Sequence, residues 1–373
     1  MSRLLSRRMF TASALTVAAL ALSACGGSAD AASDREIGTD LESIARLAKE
    51  EKKVALIAYP ENWANYGESF KAFTAKYGVE VEVASPNASS AEELTAVKNL
   101  KGQKTQPDVL DIGFSFTGPA VSQGLVSSFT PSLADEVPDN LKDPDGNWLG
   151  AYYGVLSIGV DANKVDVPKT FQDLLDPQYK GKIAIGDPRD GASVLAAVTA
   201  AALANGGSMD DITPGIEFFQ KLADAGQLVS SNSASQSLTT GEAAVTFDWN
   251  YNYSGITEEL TASGVDLQVS VPSDGVFGNL YAQPLTIDSP QPNAGRLWIE
   301  WLLSDEGANI YATSGAVPAR LQAMKEAGTL SKEAEAALPP AEILENINFP
   351  SIAQGEAANQ SVADGWAAVA AAL

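Results

Sequence analysis

The sequence predicts a two-lobed α/β protein, and three observations carry that prediction. Short apolar runs alternate with amphipathic segments along most of the chain, which is the grammar of mostly parallel sheets covered by helices. Two long extended runs, Tyr152–Val160 and Tyr281–Ile287, stand where that grammar restarts and where it ends. The length of 373 residues, with 45% hydrophobic and 19% charged side chains, suits about two globular domains at roughly 100 to 200 residues each.

The elements follow in order. Residues 1–24 hold Arg3, Arg7 and Arg8, no acid, and an apolar run from Ala12 to Leu22. That run is shorter than the ~20 residues of a bilayer span, so it predicts a signal peptide. Leu22-Ser23-Ala24-Cys25 resembles a bacterial lipobox, which implies acylation of Cys25, the one cysteine, and therefore no disulfide. Ser6-Arg7-Arg8-Met9-Phe10 resembles a twin-arginine export motif. Residues 25–38 are rich in Gly, Ser, Ala and Asp without apolar periodicity, and predict a flexible lipidated tether.

Lobe 1 is expected over residues 39–155. It holds a helix at Leu41–Glu51, a buried strand at Val54–Tyr59, a helix at Glu68–Tyr77, an alternating strand at Val79–Val83, a helix at Ala91–Lys101 and a strand at Asp108–Ile112. The run Tyr152–Val160 is long enough to pass from one lobe to the other. Lobe 2, residues 156–283, repeats the grammar with strands at Lys182–Ile185 and Ala243–Asp248 and helices at Ser193–Asn205 and Thr213–Ala225. Tyr281–Ile287 carries the chain back. Residues 284–373, with helices at Asn293–Leu303 and Val362–Leu373, are expected to return to both lobes.

Composition narrows the function. With no His, the chain lacks the Ser-His-Asp and Cys-His nucleophile arrangements, the commonest general base and all His-ligated metal sites. No Gly-x-Ser-x-Gly elbow, phosphate loop or Cys/His cluster is found, so neither catalysis nor a resident cofactor or metal is expected; a carboxylate-dependent hydrolase is the one enzymatic reading left. A formal charge of −23 excludes nucleic acid, which demands a Lys/Arg surface, and suits cationic ligands.

In open α/β sheets, ligands bind beyond the carboxyl ends of strands, near helix N-termini. That rule selects Tyr59–Tyr66, Asp111–Thr117, Asp187–Ser193 and Asp248–Tyr253, all expected to face one cleft. Within them, Tyr59, Glu61, Trp63, Asp111, Ser193, Asp248, Trp249 and Tyr251, together with Tyr281 entering the return strand, are the expected solute contacts. Ser193 is read first as a helix N-cap.

Several segments resemble a known family. They are the lipobox, Phe171-Gln172-Asp173-Leu174-Leu175-Asp176-Pro177 with Tyr179-Lys180-Gly181-Lys182, Thr240-Gly241-Glu242-Ala243-Ala244-Val245, and Ser289-Pro290-Gln291-Pro292-Asn293-Ala294 leading to Trp301-Leu302-Leu303-Ser304-Asp305-Glu306-Gly307. In this order they resemble the extracellular solute-binding proteins of ABC importers, in the cluster holding ferric-iron, polyamine and phosphorylated-solute binders. The resemblance implies the two-lobed periplasmic-binding-protein fold, type 2-like, and a monomer outside the cell membrane that closes on one small polar solute and delivers it to a membrane permease. Ferric binders of the family carry adjacent tyrosines, whereas Trp249-Asn250-Tyr251-Asn252-Tyr253 alternates them. Polyamine binders carry a Trp matched by Trp249, with an acid three residues later where this chain has Asn252. An organic amine is favoured, stacked by Trp63, Trp249 and Tyr281 and neutralised by Glu61, Asp111 and Asp248. Ferric iron and phosphonate or sugar phosphate stay open.

Overall fold

The computed structural model describes residues 35–231 and 233–373; the signal peptide, the twin-arginine motif and Cys25 lie outside the described residues. Helix α1 (Leu41–Glu51) starts at Asp40, whose carboxylate accepts the Ser43 N–H at 2.8 Å in a capping box. Strands β1 (Lys53–Ile57) and β2 (Glu80–Ala84) pair in parallel, Lys53 opposite Glu80, with α2 (Tyr66–Tyr77) crossing between them and α3 (Ser90–Leu100) following.

The strand expected at Asp108–Ile112 shrinks to β3 (Ile112–Gly113), with two isolated bridges at Val109, to Leu56 and to Leu285. The cause is Asp108, whose buried carboxylate accepts from the Ala55 N–H at 2.7 Å, the Ser289 hydroxyl at 2.6 Å and the Gln291 N–H at 2.8 Å. It takes the Ala55 N–H from the backbone pairing and ties β1 and the 289–291 turn to this segment, while the backbone of Asp108 still pairs with Ala55 and Thr286. Helix α4 (Thr117–Ser122) and strand β4 (Val126–Ser127) complete this part.

Strand β5 (Tyr152–Asp161) is ten residues long, roughly 33 Å at about 3.3 Å per residue. The second lobe follows with β6 (Ile183–Ile185), α5 (Ala192–Ala204), α6 (Thr213–Asp224), β7 (Leu228–Ser230), α7 (Ala234–Thr240), β8 (Val245–Trp249), α8 (Asn250–Ala262) and β9 (Leu267–Ser270). Strands β10 (Gly278–Ala282) and β11 (Leu285–Thr286) lead back. The first half of β5 pairs with β10, and its second half, Leu156–Asp161, pairs with β8 and β9. One strand thus belongs to both lobes. The extended return run is divided at Gln283-Pro284, so that β10 pairs with β3 and β5 while β11 pairs with β4.

Helix α9 (Pro292–Leu303) packs on α1 and β1, burying Trp298 and Trp301 completely. Helix α10 (Asp305–Ala312), strand β12 (Val317–Pro318) and three short helices, α11 (Leu321–Ala327), α12 (Lys332–Ala337) and α13 (Ala341–Leu344), come next. The expected final helix is two pieces, α14 (Ile352–Gly365) and α15 (Ala367–Ala372), broken at the fully buried Trp366. Helix α14 touches Phe114–Phe116 on one side and α5 and α6 on the other.

In an extended chain the alternating Tyr251 and Tyr253 would share one side with Trp249 and leave the asparagines on the other, yet the chain turns helical at Asn250. Glycines explain the turn: Gly154 and Gly159 of β5 leave open the space into which the Tyr251 and Tyr253 rings descend, and a Cβ at either position would overlap them.

Candidate functional site

The turns after several strand ends meet between the lobes around a cavity of about 580 Å³. Beyond β1 the chain bends through Ala58, Ala64 and Asn65, with left-handed φ of 61°, 42° and 54°. For the alanines this conformation costs roughly 1–2 kcal/mol each. Asn65 holds the bend by donating from Nδ2 to the Thr313 hydroxyl at 3.2 Å. The loop delivers Pro60, Asn62 and Trp63 to the cavity wall. Beyond β2, Asn87 to Ser89 line it from the loop before α3, and Ser90, Glu92 and Glu93 from its first turn.

Asp111 forms the floor with Glu93. Both are buried, and the Asp111 N–H donates to Glu93 Oε2 at 2.8 Å. The Asp111 carboxylate accepts from Gln283 Nε2 at 2.7 Å and from the Tyr66 hydroxyl at 3.0 Å, which in turn meets the Tyr152 hydroxyl at 2.8 Å. Gln283 Oε1 accepts the Ala151 N–H at 2.8 Å, so one carboxylate links lobe 1 to both crossing strands. Burial pushes the Asp111 carboxyl up to about 7, against the opposing pull of those hydrogen bonds. Burial likewise raises Glu93 well above the ordinary range.

Lobe 2 supplies Asp190 to Ser193 at the start of α5, Ser233 and Ala234 at the start of α7, and Asp248, Asn252 and Ile256 from the end of β8 and from α8. Asp248 Oδ1 accepts the Trp249 N–H at 2.8 Å and Asn252 Nδ2 at 2.9 Å. Burial raises its carboxyl to about 6 despite these bonds. A neighbouring hollow of about 370 Å³ shares Ser193, Ser233 and Asp248 and extends the cavity along β6. The lobes touch at Gly255 of α8, where a Cβ would overlap the Asn62 carbonyl oxygen.

Of the residues expected from sequence, Trp63, Asp111, Ser193, Asp248 and Tyr281 line this cavity. Trp63 and Tyr281 meet edge to face at 5.7 Å. The structure places the others elsewhere. Glu61 is on the exposed side of its loop. Tyr59 is fully buried and donates to the Leu110 carbonyl at 3.0 Å. Tyr251 packs at right angles on Tyr152, 5.5 Å away. Trp249 is 1% exposed and borders a separate apolar cavity of about 30 Å³ between α5, β10 and α14. Ser193 is not the N-cap: Gly191 is, without a side-chain cap bond, because α5 begins one residue earlier at Ala192.

The sequence reading missed the segment 87–93. The same strand-end rule applied to β2 would have found it, aided by the Ser89…Glu92 capping box. Glu93 gave no signal, being one acid among several in an ordinary helix.

Residues 104–346, well over half of the chain, match the bacterial extracellular solute-binding protein family. An uncharacterized protein of Haemophilus influenzae is 25% identical over 262 residues, covering 66% of this chain and 71% of that protein. Among solved structures, the periplasmic binding protein AfuA of Actinobacillus pleuropneumoniae, with fructose-6-phosphate bound, superposes with a TM-score of 0.66 at 19% identity, over 84% of this chain and 98% of that one. The spermidine/putrescine ABC-transporter substrate-binding protein PotD of Streptococcus pneumoniae gives 0.62 at 15%, over 84% and 98%. Iron-bound HitA of Pseudomonas aeruginosa gives 0.62 at 18%, over 83% and 99%. Identities this low carry the fold and leave the solute open. Among the described residues no helix is long and apolar enough to cross a membrane. The family match, the shared two-lobed fold and the cleft between the lobes make one conclusion: this chain belongs to the bacterial extracellular solute-binding proteins, the periplasmic-binding-protein components of ABC importers.

Proposed function

We propose that this protein is the lipid-anchored receptor of its importer, held outside the membrane through Cys25, and that it captures a small organic amine for the permease. The observation that carries the amine reading is the charge of the cleft. Glu92, Glu93, Asp111, Asp190 and Asp248 line the cavity, and among the described residues no Lys or Arg does. Arg189, nearby, is engaged by Asp187, to which its Nε donates at 2.8 Å. A cation entering this cavity returns the raised carboxyls of Asp111 and Asp248 to their charged state, so binding and ionisation reinforce each other. Solute contacts from both lobes then favour the closed form by their difference in affinity for it.

Ferric iron has less support. Among the tyrosines only Tyr281 lines the cavity, and burial holds its hydroxyl, like those of Tyr66, Tyr152 and Tyr251, in the protonated form rather than as the phenolate that Fe(III) prefers. A phosphorylated solute is favoured by one feature, the start of α5, where Gly191 leaves the first N–H groups without a side-chain cap.

A thermal-shift panel separates the three, because a solute bound only by the native state raises the melting temperature. The purified chain is expected to be stabilised by several degrees with 1,4-diaminobutane or spermidine. A shift with fructose-6-phosphate or ferric citrate alone would replace the amine by that solute.

A further inference from the structure

Asn252 stands in the first turn of α8 and is 4% exposed. Its orientation is fixed by chemistry: a carboxylate only accepts, so the amide nitrogen must face Asp248 Oδ1, 2.9 Å away. The amide oxygen Oδ1 is thereby turned away, and it is buried without a hydrogen-bond partner. Such an atom is costly to leave unpaired, so it marks a place where a donor belongs. Asp248 Oδ1 already accepts two N–H groups, whereas Oδ2 has no hydrogen-bond partner among the described residues. Asp248 and Asn252 both line the cavity between the lobes.

We infer that Asp248 Oδ2 and Asn252 Oδ1 form a subsite for an ammonium group that carries N–H protons, and that Asn252 excludes quaternary ammonium. The inference rests on the amine reading above and narrows it to primary and secondary amines. A quaternary head would satisfy the charge of Asp248 and still leave Asn252 Oδ1 unpaired. Quaternary cations are instead held by aromatic faces. Here Trp249 borders the separate apolar cavity, and Trp63 and Tyr281 pack edge to face on each other, which is not an aromatic cage.

The test is calorimetric titration of the full chain at pH 7.5 with α,ω-diamines of three to six carbons and with their fully N-methylated, bis-quaternary counterparts. At least one diamine is expected to bind 10-fold or more tightly than its methylated counterpart, since a site built to hydrogen-bond an N–H rejects an analogue lacking it. Asn252→Leu is expected to bring the two within about threefold while the free protein melts as before. Stepwise N-methylation tested on the unmodified chain provides the same answer without a variant, with the loss falling at the step that removes the last N–H. Equal affinity for both series would overturn the inference and leave the amine reading standing. Binding of ferric citrate or a sugar phosphate, with no amine bound, would overturn both.

Discussion

Asp111 shows how single residues set the behaviour of the cleft. Its folded-state pKa of about 7 lies above the unfolded value near 3.9, so the folded chain binds the proton more tightly. Stability linked to this group is present below about pH 4 and is lost as pH rises to about 7. Asp108, raised to about 7 by the same burial, acts in the same direction. The melting temperature of the solute-free protein is therefore expected to rise by several degrees between pH 8 and pH 5, and Asp111→Asn is expected to flatten that slope, as read by calorimetric scans. Trp249→Ala removes a ring that is 1% exposed, so it should destabilise by about 3–5 kcal/mol in urea unfolding. Residue types were legible in the sequence, and their surroundings were not. Trp63 and Trp249 look alike as letters, but one lies on a turn at the cleft and the other ends a strand packed against α5, beside an apolar cavity that α14 also lines. Those neighbours come from residues roughly fifty and a hundred positions away, which no local pattern encodes.

At the scale of elements, α8 meets the Asn62 loop across the lobes at Gly255. Gly255 permits it, since any Cβ there would meet the Asn62 carbonyl oxygen. Gly255→Val is expected to hold the lobes apart, weaken solute binding at least 10-fold and enlarge the radius of gyration in solution scattering, with the melting temperature of the free protein little changed. Most elements were legible because their period is strong: α1 begins and ends where its apolar spacing places it, and β5 runs one residue past its apolar run, to Asp161. The exceptions are those settled by side chains from elsewhere. Asp108 shortens the predicted third strand by taking the Ala55 N–H of β1 and binding the 289–291 turn, and the glycines of β5 admit two tyrosines that require α8 to begin at Asn250. Segment 87–93 joined the site through the parallel pairing of β1 and β2, which carries both strand ends to one edge.

For the whole molecule, a strand shared between lobes, a return path through β10 and β11 and an acidic cavity between them are the features on which the proposed coupling of closure to charge rests. The two-lobed plan was legible because two long extended runs interrupt an otherwise regular alternation. The solute was less so: the net charge of −23 spreads over the whole surface, and only folding gathers five carboxylates around one cavity. Asp248 is the most direct handle, being partly exposed at the cavity wall with a carboxyl raised to about 6. Cation binding requires its ionised form, so affinity should fall as pH drops through about 6 and level off above 7. The decisive measurement is calorimetric titration of the chain and of its Asp248→Asn variant with 1,4-diaminobutane at pH 7.5 and pH 5. Saturable one-to-one binding at pH 7.5, weaker at pH 5 and weakened roughly 10- to 100-fold by the substitution, is the predicted result. Diamine binding that ignored both the substitution and the pH, or one-to-one binding of fructose-6-phosphate or ferric citrate in its place, would contradict the account.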